Sequence, residues 1–202
     1  MTTRRTGLLG GTFDPIHFGH LFIAQAVREL AGLDRVLFLP VGDPAHREVH
    51  SSAQDRCEMV RRAIAGNDAF VLDTTALEQP GPVYTADTLA LLNAKLPDDE
   101  LSFIAGVDSL TVSRWRRLDE VAAALARFYA VRREGARSED VAAIIADLPA
   151  PLRERFVVLD LPLVDISASV IRARVRAGQS VRYLTPDDVA RLIVDRGLYR
   201  GA

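Results

Sequence analysis

One cysteine, one lysine and one tryptophan stand in 202 residues, and each scarcity removes a class of function. With only Cys57 there is no internal disulfide and no multi-cysteine zinc or iron–sulfur centre. Lys95 is the sole lysine among 25 basic residues, so cationic chemistry falls to arginine. Arginine keeps its charge and forks onto phosphate, but it cannot act as a tunable base or a Schiff-base amine. Aromatics make up 6 %, too few for a stacking platform along single-stranded nucleic acid. The 25 basic side chains face 27 acidic ones, and a net charge of −2 gives nucleic acid no bulk attraction. No stretch approaches the roughly 20 apolar residues of a membrane span. The start, MTTRRTGLLGG, carries no signal h-region. The expectation is a soluble, cytoplasmic protein with no nucleic-acid or membrane partner.

What is present is globular: 49 % hydrophobic and 26 % charged, long enough to bury a core of its own. There is no repeat, no low-complexity segment and no linker marking a firm boundary. Short apolar runs recur at Thr6–Leu9, Val36–Leu39, Phe70–Leu72, Leu101–Ala105, Phe128–Val131 and Phe156–Leu159. Few of them alternate, so they read as strands buried on both faces. Amphipathic stretches lie between them: Ile23, Val27, Leu30 and Ala31; Leu89, Leu92 and Leu96; Val141, Ile144, Ile145 and Leu148. Strand–helix alternation implies a mostly parallel, doubly wound α/β sheet with right-handed crossovers. From Ser167 onward the pattern is helical. Thr185 is expected to cap a last helix, with Pro186 at its first position and Gly197 at its end. The division expected is a sheet domain over 1–166 and a small helical extension, 167–202, packed on it.

Such sheets bind ligands beyond the carboxyl ends of their strands, where the strand order reverses. The segment after the first run is Gly10-Gly11-Thr12-Phe13-Asp14-Pro15-Ile16-His17-Phe18-Gly19-His20. Two glycines allow close backbone approach to a ligand, and Pro15 fixes the turn. His17 and His20 stand three apart at a helix start, so both imidazoles share one face beside the positive end of the helix dipole. Phosphate suits that place. One histidine there is ordinarily a cap or a surface residue, and a His-x-x-His pair also fits two metal ligands. No Glu, Asp or Cys stands nearby at zinc spacing, so no metal site is expected and phosphate binding is the main reading. No GK[ST] follows the glycines and GxGxxG is missing, which sets aside the Walker loop and the dinucleotide fingerprint.

This run resembles the signature of the HxGH nucleotidyltransferase superfamily, whose members move a nucleotide from ATP or CTP onto a phosphate. From Gly10 to Tyr199 the chain is similar to the bacterial nicotinate-mononucleotide adenylyltransferases. The resemblance implies a Rossmann-like fold and a distribution of roles. His17, His20 and Arg172 would hold the reacting phosphates. Gly10, Gly11, Thr12, Phe13, Gly106, Asp108, Ile166, Ser167 and Arg172 would bind ATP, Asp108 as a carboxylate past a strand end. Arg47, in an element where Ala45 replaces a proline of the family pattern, would reach phosphate; taken alone it also reads as a solvated arginine. Tyr84 and Thr85 would hold the pyridine ring, with Thr85 capping a helix, and Trp115 would stack on the ring. Ser167 and Arg172 match a late helix start in which Ala168 replaces a serine. Asp55-Arg56-x-x-Met59 also matches the family, without an assigned role, and Cys57 shares an apolar stripe with Val60 and Ile64 that marks it as packing.

The activity implied is adenylyl transfer from ATP to nicotinate mononucleotide, giving nicotinic acid adenine dinucleotide and pyrophosphate in NAD biosynthesis. Mg²⁺ would be carried by the phosphates. A sister transferase acting on nicotinamide mononucleotide or phosphopantetheine, and a non-catalytic nucleotide sensor, remain as alternatives. Assembly as a homo-oligomer is left open by the sequence.

Overall fold

A computed structural model describes residues 3–42, 48–79, 84–107, 117–133, 138–146 and 148–201. Among the described residues six strands form one sheet: β1 (Arg4–Gly11), β2 (Arg35–Pro40), β3 (Phe70–Leu72), β4 (Asp99–Gly106), β5 (Arg127–Arg133) and β6 (Phe156–Leu161). Each apolar run of the sequence lies in one of them. Every pairing is parallel, and the order is β3-β2-β1-β4-β5-β6. The chain thus winds outward from β1 to β3, returns to β4 beside β1, and winds outward the other way. In sheets of this kind the reversal, here between β1 and β4, is where the ligand crevice lies, at the carboxyl ends of the strands.

The helices are α1 (Phe18–Ala31), α2 (Ala53–Ala63), α3 (Thr85–Lys95), α4 (Leu118–Ala124), α5 (Ser138–Ala146), α6 (Ala150–Arg153), α7 (Ala168–Arg176) and α8 (Asp187–Asp195). Successive strand residues point to opposite faces, so adjacent Leu8 and Leu9 enter different cores, as do Leu37 and Phe38. One core joins Leu9 and Phe38 to Val27, Met59 and Val60, and continues into Ile171, Val189, Leu192, Ile193 and Tyr199. The other joins Leu8 and Leu37 to Leu89, Leu92, Val121 and Leu152. The C-terminal helices therefore share the core of α1 and α2.

Some expectations shift. Gly10 and Gly11 are the last residues of β1 rather than loop. Leu30 is 64 % exposed, outside the buried face of α1 that holds Ala24 and Val27. Leu148 is buried but lies beyond the end of α5. β6 is an edge strand with Val158 exposed, so burial on both faces holds for the inner strands only. Thr185 does not cap α8, because Pro186 occupies that position. The Thr185 hydroxyl is fully buried and donates to the Ile16 carbonyl (2.7 Å).

At the amino ends of the central strands, Asp99 Oδ2 accepts hydrogen bonds from Thr6 Oγ1 (2.5 Å) and Arg35 Nη2 (2.7 Å). Burial pushes the Asp99 carboxyl up, but the Thr6 hydroxyl and the Arg35 guanidinium outweigh it and hold the group below the ordinary aspartate value.

Candidate active site

β1 delivers its last two glycines to the crevice, and the chain turns sharply into α1. Phe13 makes the turn in the left-handed region (φ 51°) and is almost fully buried. Its ring lies back over Gly11, where an added Cβ would come to 3.0 Å from the ring, so a larger residue there would require the Phe13 ring to give. The same ring meets His20 edge-on, with centroids 5.1 Å apart. His17 occupies the N-cap position of α1, and its backbone N–H donates to His20 Nδ1 (3.3 Å). An accepting Nδ1 assigns the proton of a neutral His20 to Nε2. The two imidazoles stack at 3.7 Å, inclined by 26°. A Cβ at Gly19 would approach His17 Nδ1 to 3.0 Å, so a side chain there would press on the stacked ring. The shared histidine face expected from the spacing is thus formed.

Buried polar groups hold this turn in place. Arg56 on α2 is 1 % exposed and donates from Nη1 to the carbonyls of Thr12 (2.8 Å) and Val41 (2.6 Å) and from Nη2 to Gly42 (2.9 Å). Asp14 is equally hidden, and its carboxylate accepts from Tyr199, Ser51 and the His50 backbone. Thr185 holds the Ile16 carbonyl, and the Phe18 N–H donates to Leu184 (3.2 Å). Four segments distant in sequence thus converge on residues 12–18.

Ser167 caps α7, its hydroxyl accepting from the Val170 N–H (3.3 Å), and Ser169 lies within hydrogen-bond distance of it (3.0 Å). The Ile166 carbonyl lies 3.6 Å from the Cβ position of Gly19, which sets the start of α7 against the start of α1. Arg172, one turn on, donates from Nη1 to the Asp14 carbonyl (2.7 Å). Its Nε is buried with no hydrogen-bond partner among the described residues. His17, His20, Ile166, Ser167 and Arg172 are therefore brought together beside Gly10–Phe13, and Gly106 ends the neighbouring β4.

On the other side of the sheet, Tyr84 takes the N-cap position of α3 and Thr85 is its first helical residue, so Thr85 is not the cap. In the same first turn Asp87 is ion-paired with Arg117, which also holds Glu120. Arg47, Asp108 and Trp115 lie outside the described residues. Cys57 is buried, and burial pushes its thiol up, as suits packing. Among the described residues no three His, Cys, Asp or Glu side chains gather as a metal would need. A groove of about 860 Å³ between α7 and α8, lined by Val175, Arg176, Val181, Ala190, Ile193 and Val194 among others, contains none of the residues singled out from the sequence.

The cytidylyltransferase-like family matches residues 8–174. A "Probable nicotinate-nucleotide adenylyltransferase" of Dehalococcoides mccartyi is 41 % identical, with 98 % of each chain covered. One of the same name from Saccharopolyspora erythraea is 43 % identical over 98 % of this chain and 91 % of its own. Among solved structures, the fold resembles Plasmodium falciparum nicotinic acid mononucleotide adenylyltransferase complexed with NaAD (TM-score 0.77, 16 % identity, 97 % of each chain).

Proposed function

We propose that this chain, which belongs to the cytidylyltransferase-like family and within it to the nicotinate-nucleotide adenylyltransferases, transfers the adenylyl group of ATP to nicotinate mononucleotide. The products are nicotinic acid adenine dinucleotide and pyrophosphate, a step of NAD biosynthesis. The observation that carries the reading is the stacked His17–His20 pair on the first turn of α1, at the reversal of strand order, with Arg172 against the same turn.

A phosphate oxygen of the mononucleotide attacks the α-phosphorus of ATP in line. The new P–O bond forms as the bond to the bridging oxygen breaks, and both electrons of that bond leave with pyrophosphate. The nucleophile is already an anion, so positioning and charge stabilisation carry the catalysis. His17 and His20 hold the α- and β-phosphates, and Arg172 adds fixed charge that a planar fork can direct. Gly10, Gly11, Thr12 and Phe13 let the backbone approach the nucleotide. Ile166 and Ser167 present the α7 amides, while Gly106 and Asp108 bind the adenosine side. Arg47, Tyr84, Thr85 and Trp115 receive the mononucleotide. Mg²⁺, carried by the ATP phosphates, would neutralise charge on the leaving pyrophosphate. Among the described residues no helix is long and apolar enough to cross a membrane; the cytoplasm, where these substrates would be met, is the proposed location.

The test is pyrophosphate release with ATP and each of four acceptors: nicotinate mononucleotide, nicotinamide mononucleotide, phosphopantetheine and a simple phosphomonoester. Release should be fastest with the first. A different best acceptor would make the protein a sister transferase, and no release with any would leave a nucleotide sensor.

A further inference from the structure

We propose that Asp14, fixed by Tyr199 and Ser51, is a positioning residue that sets the place of Arg172, so that the last turn of the chain is part of the catalytic apparatus; this rests on the adenylyl-transfer reading above. Asp14 is 3 % exposed and touches the rest of the protein in two directions. Its carboxylate accepts from the Tyr199 hydroxyl (2.7 Å) and the Ser51 hydroxyl (2.5 Å) on Oδ1, and from the His50 N–H (2.6 Å) on Oδ2. Its carbonyl accepts from Arg172 Nη1 (2.7 Å). A single residue, three before His17, therefore joins the strand-to-helix turn to residues 50–51, to the C-terminus and to the arginine of α7. The carboxylate anchors fix how the Asp14 peptide is oriented, and that orientation fixes where the guanidinium lies.

The anchor on the C-terminal side is built to donate. Tyr199 is buried, its backbone is left-handed (φ 65°), and its hydroxyl also lies 3.3 Å from Ser51 Oγ and 3.8 Å from Met59 Sδ. Burial raises the phenol above its ordinary value, which keeps it protonated. Tyr199 and Thr185, the second tie from this tail, both lie beyond residue 174, where the family match ends. A displacement of about 1 Å of a group aligned on a reacting phosphate can cost up to ~10²-fold in rate.

The experiment is steady-state pyrophosphate release by the full chain with ATP and nicotinate mononucleotide, alongside thermal unfolding. Tyr199→Phe keeps the ring in the core and removes only the donor. We expect kcat to fall roughly 5–30-fold with either KM changed less than about threefold, as for a group that acts in the transition state. On an Arg172→Ala background the same substitution should cost less than about twofold, because the residue it positions has gone. Leu92→Ala, in the other core, supplies the stability control: it should lower Tm at least as far as Tyr199→Phe and leave kcat within about twofold. If Tyr199→Phe does not fold, Ser51→Ala removes the other donor on the same oxygen, and the same two-background comparison applies. Wild-type kcat in the variant, or an equal loss on both backgrounds, overturns the inference while adenylyl transfer stands. A wild-type protein that releases no pyrophosphate with any acceptor overturns the proposed function, and this inference with it.

Discussion

At the scale of single residues, the stacked histidines carry the strongest expectation. In the proposed reaction each would place an imidazole where charge develops on the phosphates, and loss of one preorganised donor typically costs roughly 10²–10³ in kcat. His17→Ala and His20→Ala should each lose that much, measured as pyrophosphate release at saturating substrates. A rate near that of the wild type in either would remove the phosphate role. His17 was legible because its spacing from His20 puts both on one helix face. Arg56 was not: an arginine on an amphipathic helix reads as solvated, and nothing in the sequence shows three carbonyls meeting its guanidinium. Arg56→Met keeps much of the volume and leaves those carbonyls without their donor. At about 1–3 kcal/mol for a buried group left unsatisfied, partly relieved by water, a loss of about 2–4 kcal/mol is expected in denaturant titration. A variant within 0.5 kcal/mol of the wild type, about the scatter of surface substitutions, would show that the turn holds without it.

At the scale of elements, the six strands were readable because doubly buried strands are short, apolar and bounded by turns, and Phe70–Leu72 matches β3 residue for residue. Helix starts were less so. Thr185 and Thr85 both look like caps, yet one hydroxyl is drawn into a tertiary bond with Ile16 and the other residue lies one position inside α3. Tertiary partners decide such cases, and local sequence does not encode them. In the proposed function the head of α3 would bear on acceptor choice. A ring carboxylate directed at its amino end gains charge-assisted hydrogen bonds and a favourable dipole, worth about 1.5–3 kcal/mol. The acid mononucleotide should therefore exceed the amide by roughly 10–150-fold in kcat/KM. Asp87, in the same turn, opposes an incoming anion, but its pairing with Arg117 offsets that charge. Arg117→Gln should thus lower the acid-to-amide ratio with little effect on the amide alone. A wild-type ratio near one would withdraw acid specificity, and an unchanged ratio in the variant would withdraw Arg117 from it.

At the scale of the whole molecule, the two ends of the sheet do different work. The carboxyl ends carry the proposed chemistry, while the amino ends of β1, β2 and β4 are tied by Thr6, Arg35 and Asp99, about 16–23 Å away along the strands at about 3.3 Å per residue. A stabilising contact at the far end touches none of the residues proposed to bind substrate. Asp99 has a folded pKa below the unfolded value, so its contribution is complete above about pH 4 and is lost as pH falls through the folded pKa. Asn at this position keeps the shape and drops the charge. Asp99→Asn should be less stable than the wild type by about 1–3 kcal/mol at pH 7, with kcat for pyrophosphate release unchanged. In acid the wild type loses what the variant never had, so the two stabilities should converge as pH falls below about 4. Removal of one titrating group can reduce the slope by at most about 1.4 kcal/mol per pH unit. Asp55 and Asp73, also held below the ordinary value by partners that outweigh burial, keep titrating in both proteins, so neither curve becomes flat. Urea midpoints from pH 2 to pH 7 on the two proteins decide the matter. A gap that stays constant or widens in acid would mean that the bond geometry, and not the Asp99 charge, holds the three strands.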